Sequence, residues 1–77
     1  MVYFKEKYIM NIKIYKLSGS MIAVQYDNED RYVLLQDAWL DDPNVFTVLR
    51  ELRSVYTYSS KDGFDSSTME LVKEENV

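Results

Sequence analysis

Residues 10–36 read MNIKIYKLSGSMIAVQYDNEDRYVLLQ, and this stretch decides the fold. Its first part alternates, with Met10, Ile12 and Ile14 on one side and Asn11, Lys13 and Tyr15 on the other. That is the period-two pattern of a half-buried strand over 10–17. Ser18-Gly19-Ser20 reads as a turn and 21–26 (MIAVQY) as a second strand; Asp27-Asn28-Glu29-Asp30 is a polar turn and 31–36 (RYVLLQ) a third strand. Strands joined this tightly make an antiparallel meander. The turn lengths also set the register. The second turn pairs Tyr26 with Arg31, Val24 with Val33 and Ile22 with Leu35. A three-residue first turn pairs Ile14 with Val24 and Ile12 with Tyr26. Ile12, Ile14, Ile22, Val24, Val33 and Leu35 then share one face, whereas a two-residue turn would set Ile14 against Ala23 and send branched aliphatics to water.

C-terminal to the meander, Asp42 reads as an N-cap and Pro43 as the first helical residue, where a missing N–H costs nothing. Asp41 and Asp42 complement the positive end of the helix dipole. Val45, Val48, Leu49, Leu52, Val55 and Tyr56 recur at the three-and-four spacing of an apolar stripe, with Thr47, Glu51, Ser54 and Tyr58 opposite. Arg50 and Arg53, with Phe46 near them, are expected to lay their stems over the edge of that stripe. The helix is expected to end near residue 59 or 60, ahead of Asp62-Gly63. Residues 2–8 have strand composition and extend the first strand. Residues 67–70 (STME) read as a capping box before a short helix, while 68–73 alternate as an edge strand would; 73–77 read as loose. The fold class is α+β: one domain over 1–77, with its core in about 2–60, in which a small antiparallel β-meander of three or four strands carries one amphipathic helix on one face.

The register leaves a second face bearing Asn11, Lys13, Tyr15, Leu17, Met21, Ala23, Gln25, Tyr32, Leu34 and Gln36. A solvated sheet face should be more polar, so a terminal segment, a second copy or a partner is expected to cover it. Seven tyrosines in 77 residues, against one tryptophan and three phenylalanines, sharpen the point. Tyrosine suits strands, and it also suits interfaces because a large apolar ring carries a polar tip. Tyr15, Met21, Tyr32 and Leu34 are therefore the candidate binding residues on the sheet face. If residues 2–8 or 64–73 fold over them, they are core instead.

Charge narrows the partners. Nine Lys and Arg stand against thirteen Asp and Glu, a formal net charge of −4, with no basic cluster. Direct nucleic-acid binding needs a basic stripe, so a protein with a basic surface is the better-matched partner. Asp27, Glu29, Asp30, Asp37, Asp41 and Asp42 are the acidic candidates for meeting it; capping and turn formation come first for all of them. The 27–30 turn lacks the spacing of an EF-hand loop, and no metal or cofactor is expected. No apolar run is long enough to span a bilayer, and residues 1–10 lack the charge pattern and cleavage site of a signal peptide. An intracellular, cytoplasmic setting is expected (the host cytoplasm if the chain is viral).

Without histidine or cysteine the chain lacks the commonest general base and the best nucleophile, and one helix on a sheet offers no deep cleft to separate carboxylate pKa values. An enzyme is not expected. The function expected is a non-catalytic protein-binding module, an inhibitor or regulator working by surface complementarity. Compact acidic chains of this size are common among phage and mobile-element inhibitors of host machinery, anti-CRISPR proteins included; the likeness is one of size and composition alone. Two alternatives stand beside it: a structural homo-oligomer, a homodimer for example, and an acidic mimic of nucleic acid bound to a nucleic-acid-binding protein.

Overall fold

Two turns set the sheet. In the computed structural model, which describes residues 10–55 and 57–77, strands β1 (Asn11–Lys16), β2 (Met21–Tyr26) and β3 (Tyr32–Gln36) form the meander. Gly19 takes φ +73° in the first turn. In the second, Asp27 and Asn28 both have positive φ (54° and 58°), and Glu29 N donates to Tyr26 O at 2.9 Å. That is a type I′ geometry, which Asp and Asn tolerate better than other side-chain-bearing residues. The resulting pairs include Ile12–Tyr26, Ile14–Val24, Val24–Val33 and Ile22–Leu35, the register that gathers the aliphatics. Pairing of β2 with β3 stops at Gln25–Tyr32, one step short of the expected Tyr26–Arg31.

The helical region differs from expectation at both ends. A 3-10 turn, η1 (Asp37–Asp41), precedes the helix α1 (Val45–Leu52). Asp42 and Pro43 lie just before α1 and are not its N-cap and first residue: the N-cap position is Asn44, no side chain caps the helix, and Asp42 instead closes a local turn, its Oδ1 accepting from Asn44 N at 2.8 Å. The helix stops at Leu52 rather than near residue 59 or 60. Two side chains from the meander hold its end: Tyr26 Oη donates to Leu49 O (2.7 Å) and an Arg31 guanidinium nitrogen donates to Arg53 O (2.7 Å). These satisfy carbonyls that a helix end leaves without partners, and Ser54, Val55 and Thr57 beyond them are weak helix formers. Val55 is consequently exposed instead of extending the stripe. Tyr58, expected on the helix, pairs with Tyr32 at the free edge of β3 through two 2.8 Å backbone bonds.

The tail resolves as a strand. β4 (Glu70–Asn76) lies antiparallel to β1, giving the order β3-β2-β1-β4. The stretch read as loose is thus paired: Met10 and Val77 exchange backbone bonds of 2.7 and 2.8 Å. A bulge opposite Ile14/Tyr15 makes Val72 the extra residue, so Leu71 sits opposite Tyr15 while Lys73 sits opposite Ile14. Lys73 Nζ then lies 5.4 Å from the centre of the Phe46 ring on the helix side. The expected strand over 2–8 and the side chain of Tyr56 lie outside the described residues.

The helix-side core contains Ile12, Ile14, Ile22, Val24, Tyr26, Val33, Val45 and Leu49, with Leu35, Leu40, Phe46 and Leu52 against it. No helix among the described residues is long and apolar enough to cross a membrane. Leu49 is fully buried and Leu52 only partly so. Leu49→Ala should therefore cost about 2–5 kcal/mol and Leu52→Ala clearly less, read by urea titration. Burial also pushes the Tyr26 phenol up to about 12, against Arg31 and Arg53, which act to lower it. The folded state thus holds that proton more tightly than the unfolded chain. The stabilisation is complete below about pH 10 and is lost as pH rises toward about 12. Tyr26→Phe should flatten part of that alkaline loss of melting temperature.

Candidate protein-binding surface

The second sheet face is covered by the chain itself. After pairing at the β3 edge, residues 58–69 cross this face on the way to β4. Tyr58, Phe64 and Met69 pack there with Tyr15, Ala23 and Tyr32, and Leu17 and Leu34 join them. The Phe64 ring stacks on Tyr32 (centroids 5.5 Å, 24°) and meets Tyr58 at a tilt (5.6 Å, 57°). Short polar devices shape the crossing. Ser59 and Asp62 form a capping box around the 3-10 turn η2 (Ser60–Asp62), and Gly63 follows with φ +97°. Asp65 Oδ1 accepts from Ser67 N (3.0 Å) and Ser67 Oγ (2.7 Å), and these bonds lower its pKa.

The tyrosine anchors expected on this face are therefore corrected. Tyr15 and Tyr32 are 5% and 3% exposed, and their hydroxyls are committed to a buried amide. Tyr15 Oη donates to Gln25 Oε1 at 3.0 Å; Gln25 Nε2 donates to Glu29 O (2.9 Å) and Tyr32 Oη (3.4 Å). Burial raises the Tyr15 pKa. Leu34 is half-buried in the same cluster, and Met21, half-buried, pairs with Gln36 at the end of the ladder. The branch in which the tail folds over these residues is the one the molecule takes.

Most of the acidic candidates are engaged within the chain at its surface. Asp27 accepts from Asn11 N (2.9 Å) and pairs with Arg53 (2.9 Å); Glu29 pairs with Arg31 (3.5 Å) and Arg53 (3.6 Å). Asp30 accepts from Ser60 N and Ser60 Oγ, both at 2.8 Å. Asp37 pairs with Lys16 at 2.8 Å. These pairs are partly exposed, worth roughly 0–1 kcal/mol each, and their role is to position turns rather than to hold the core. Asp42 closes its local turn with Asn44 N. Asp41 alone of the six is exposed with no such bond among the described residues. No group of three or more His, Cys, Asp or Glu side chains among the described residues is placed to hold a metal ion.

What remains open to solvent and apolar lies elsewhere. Trp39, on η1, is 37% exposed, and Val72 and Leu71, at the β4 bulge, are 42% and 47% exposed. Trp39 borders a depression of about 250 Å³ with Gln36, Ala38 and Asp42. Ala38 also lines an open cleft of about 430 Å³ that runs past Leu40 and Asp41 to Val72. The two depressions share Ala38 and form a ledge with Trp39 on one and Val72 on the other; Asp37, Asp41, Asp42 and Lys16 line it. Sequence reasoning missed this surface. The one signal it offered was the sole tryptophan, set among aspartates in DAWLDD (37–42).

The chain matches no family model, no curated protein and no solved structure. If Phe64 is the wedge that keeps the second face dry, Phe64→Ala should cost about 2–3 kcal/mol, below the roughly 3–5 kcal/mol of a fully buried ring. It should also raise tyrosine fluorescence quenching by acrylamide; unchanged quenching and stability would show that the wedge is elsewhere.

Proposed function

We propose that the chain is a non-catalytic protein-binding module, an inhibitor or regulator that acts by surface complementarity on a partner with a basic surface. The observation that carries this reading is the ledge itself: a half-exposed tryptophan on one open depression and Val72 on the next, with Ala38 shared between them and three carboxylates against one lysine along them. Tryptophan is among the residues that most often dominate binding energy, and with Lys16 paired to Asp37 the remaining Asp41 and Asp42 leave the rim net negative, which steers a positively charged partner. The non-catalytic part rests on the sequence, which supplies neither histidine nor cysteine, and on the openness of these depressions. A cytoplasmic setting goes with the reading and is taken from the sequence alone.

The partner is to be recovered by affinity capture from the native cells and then titrated by calorimetry. Trp39→Ala should weaken binding by about 1–3 kcal/mol with little change in melting temperature. Asp41→Lys should mainly slow association and reduce its salt dependence, because the Asp41 side chain makes no hydrogen bond or ion pair among the described residues. Full affinity in a folded Trp39→Ala, Val72→Ala double variant would overturn the proposal.

A further inference from the structure

The two edges of the sheet are unlike. Tyr58 blocks β3 at Tyr32, whereas no strand among the described residues pairs with the outer side of β4. Every residue from Glu70 to Asn76 is exposed. Because Met10 and Val77 exchange both backbone bonds, alternation turns Lys73 and Glu75 toward β1 as well, and leaves Glu74 and Asn76 presenting their N–H and C=O groups outward. Such an edge is a template for another strand.

Charge decides which strand. β4 carries Glu70, Glu74 and Glu75 against Lys73 alone, and Lys73 is already drawn over Phe46. A second copy laid antiparallel on β4 would bring together two strands that each carry three glutamates against one lysine, with Lys73 opposite Lys73 in one register and Glu70 opposite Glu75 in a neighbouring one. Like charges directly opposed across strands are destabilising. The same carboxylates favour a strand bearing lysine or arginine. Because the bulge exposes Leu71 on one face and Val72 on the other, an incoming strand meets an apolar contact on both.

Building on the binding-module reading, we infer that β4 is a strand-addition site for an extended basic segment of the partner protein. The backbone supplies the pairing, the glutamates choose the sign of the incoming side chains, and the adjoining Trp39 ledge receives what lies beside that segment.

The test uses the full chain and a blocked eight-residue peptide alternating lysine and valine, with amide hydrogen exchange followed by NMR. Two controls are the same peptide with glutamate for lysine and the lysine peptide N-methylated throughout. The lysine peptide should slow exchange at Glu74 and Asn76 at least tenfold, and neither control should. A Glu70→Lys, Glu74→Lys, Glu75→Lys variant, checked by thermal melting, should reverse the preference between the two charged peptides. Should that variant fail to fold, the N-methylated control on the native chain still decides. Equal protection by the acidic peptide, or binding of the lysine peptide without protection at Glu74 and Asn76, would overturn the inference. So would protection that grows with protein concentration alone, which would make a second copy the occupant. The probe stands in for the natural partner, so a negative result removes strand addition and leaves the Trp39 ledge to its own test.

Discussion

Ile14, Val24 and Val33 stand in one row across three strands, and everything else in the molecule is placed relative to that row. Two turns hold it in line, one using the left-handed conformation of Gly19 and one that of Asp27 and Asn28. Side chains alternate along a strand, so this single register gives the sheet two apolar faces at once. A short chain cannot leave either face wet. The helix closes the first and residues 58–69 close the second, which is how 77 residues without a disulfide come to have two apolar clusters. Domains of this size bury only about 60% of their unfolded surface, so neither cluster is dispensable.

The acidic turn between β2 and β3 does double duty in this arrangement. It reverses the chain, and through Arg31 and Arg53 it fastens the end of α1 to the sheet. An eight-residue helix is far below the length that is stable alone. Its form depends on Leu49 and Val45 being buried and on Tyr26 and Arg31 occupying its last carbonyls. Much of the negative charge that the composition advertises is spent on such internal tasks. The carboxylates left for recognition are fewer: Asp41 in η1 at the other end of the sheet, and the glutamates spaced along the β4 edge.

The meander was legible because two periodic signals agreed: alternation within strands and turn residues between them. The helix was legible from Val45 to Leu52 for the same reason, and its end was not, because Tyr26 and Arg31 stop it from a distance of more than twenty residues. The alternation in 68–73 pointed to an edge strand but could not reveal the bulge at Val72, since an extra residue changes faces without changing composition. The covering segment has no period at all. Its Tyr58, Phe64 and Met69 are irregularly spaced and act through Asx and capping turns, so the tyrosines beneath them read as exposed anchors when they are core. Tyr15, Tyr26, Tyr32 and Tyr58 pack on the two faces of the sheet, and the single tryptophan carried the better surface signal.

The position of β4 in the chain has a kinetic meaning. The hairpins join residues about ten apart, as in the Tyr15–Gln25 contact, whereas β4 returns to β1 across separations of 63 and 65 residues. Closing the longer loop costs roughly 1.5 kcal/mol more in chain entropy, and it is met by a strand that buries little surface. On these grounds β4 is expected to seat last among the sheet strands and to open at lower free energy than the meander beneath it. A binding partner that paired with its outer edge would be adding bonds to the least secure strand of the sheet, so association and the locking of the fold would share one event.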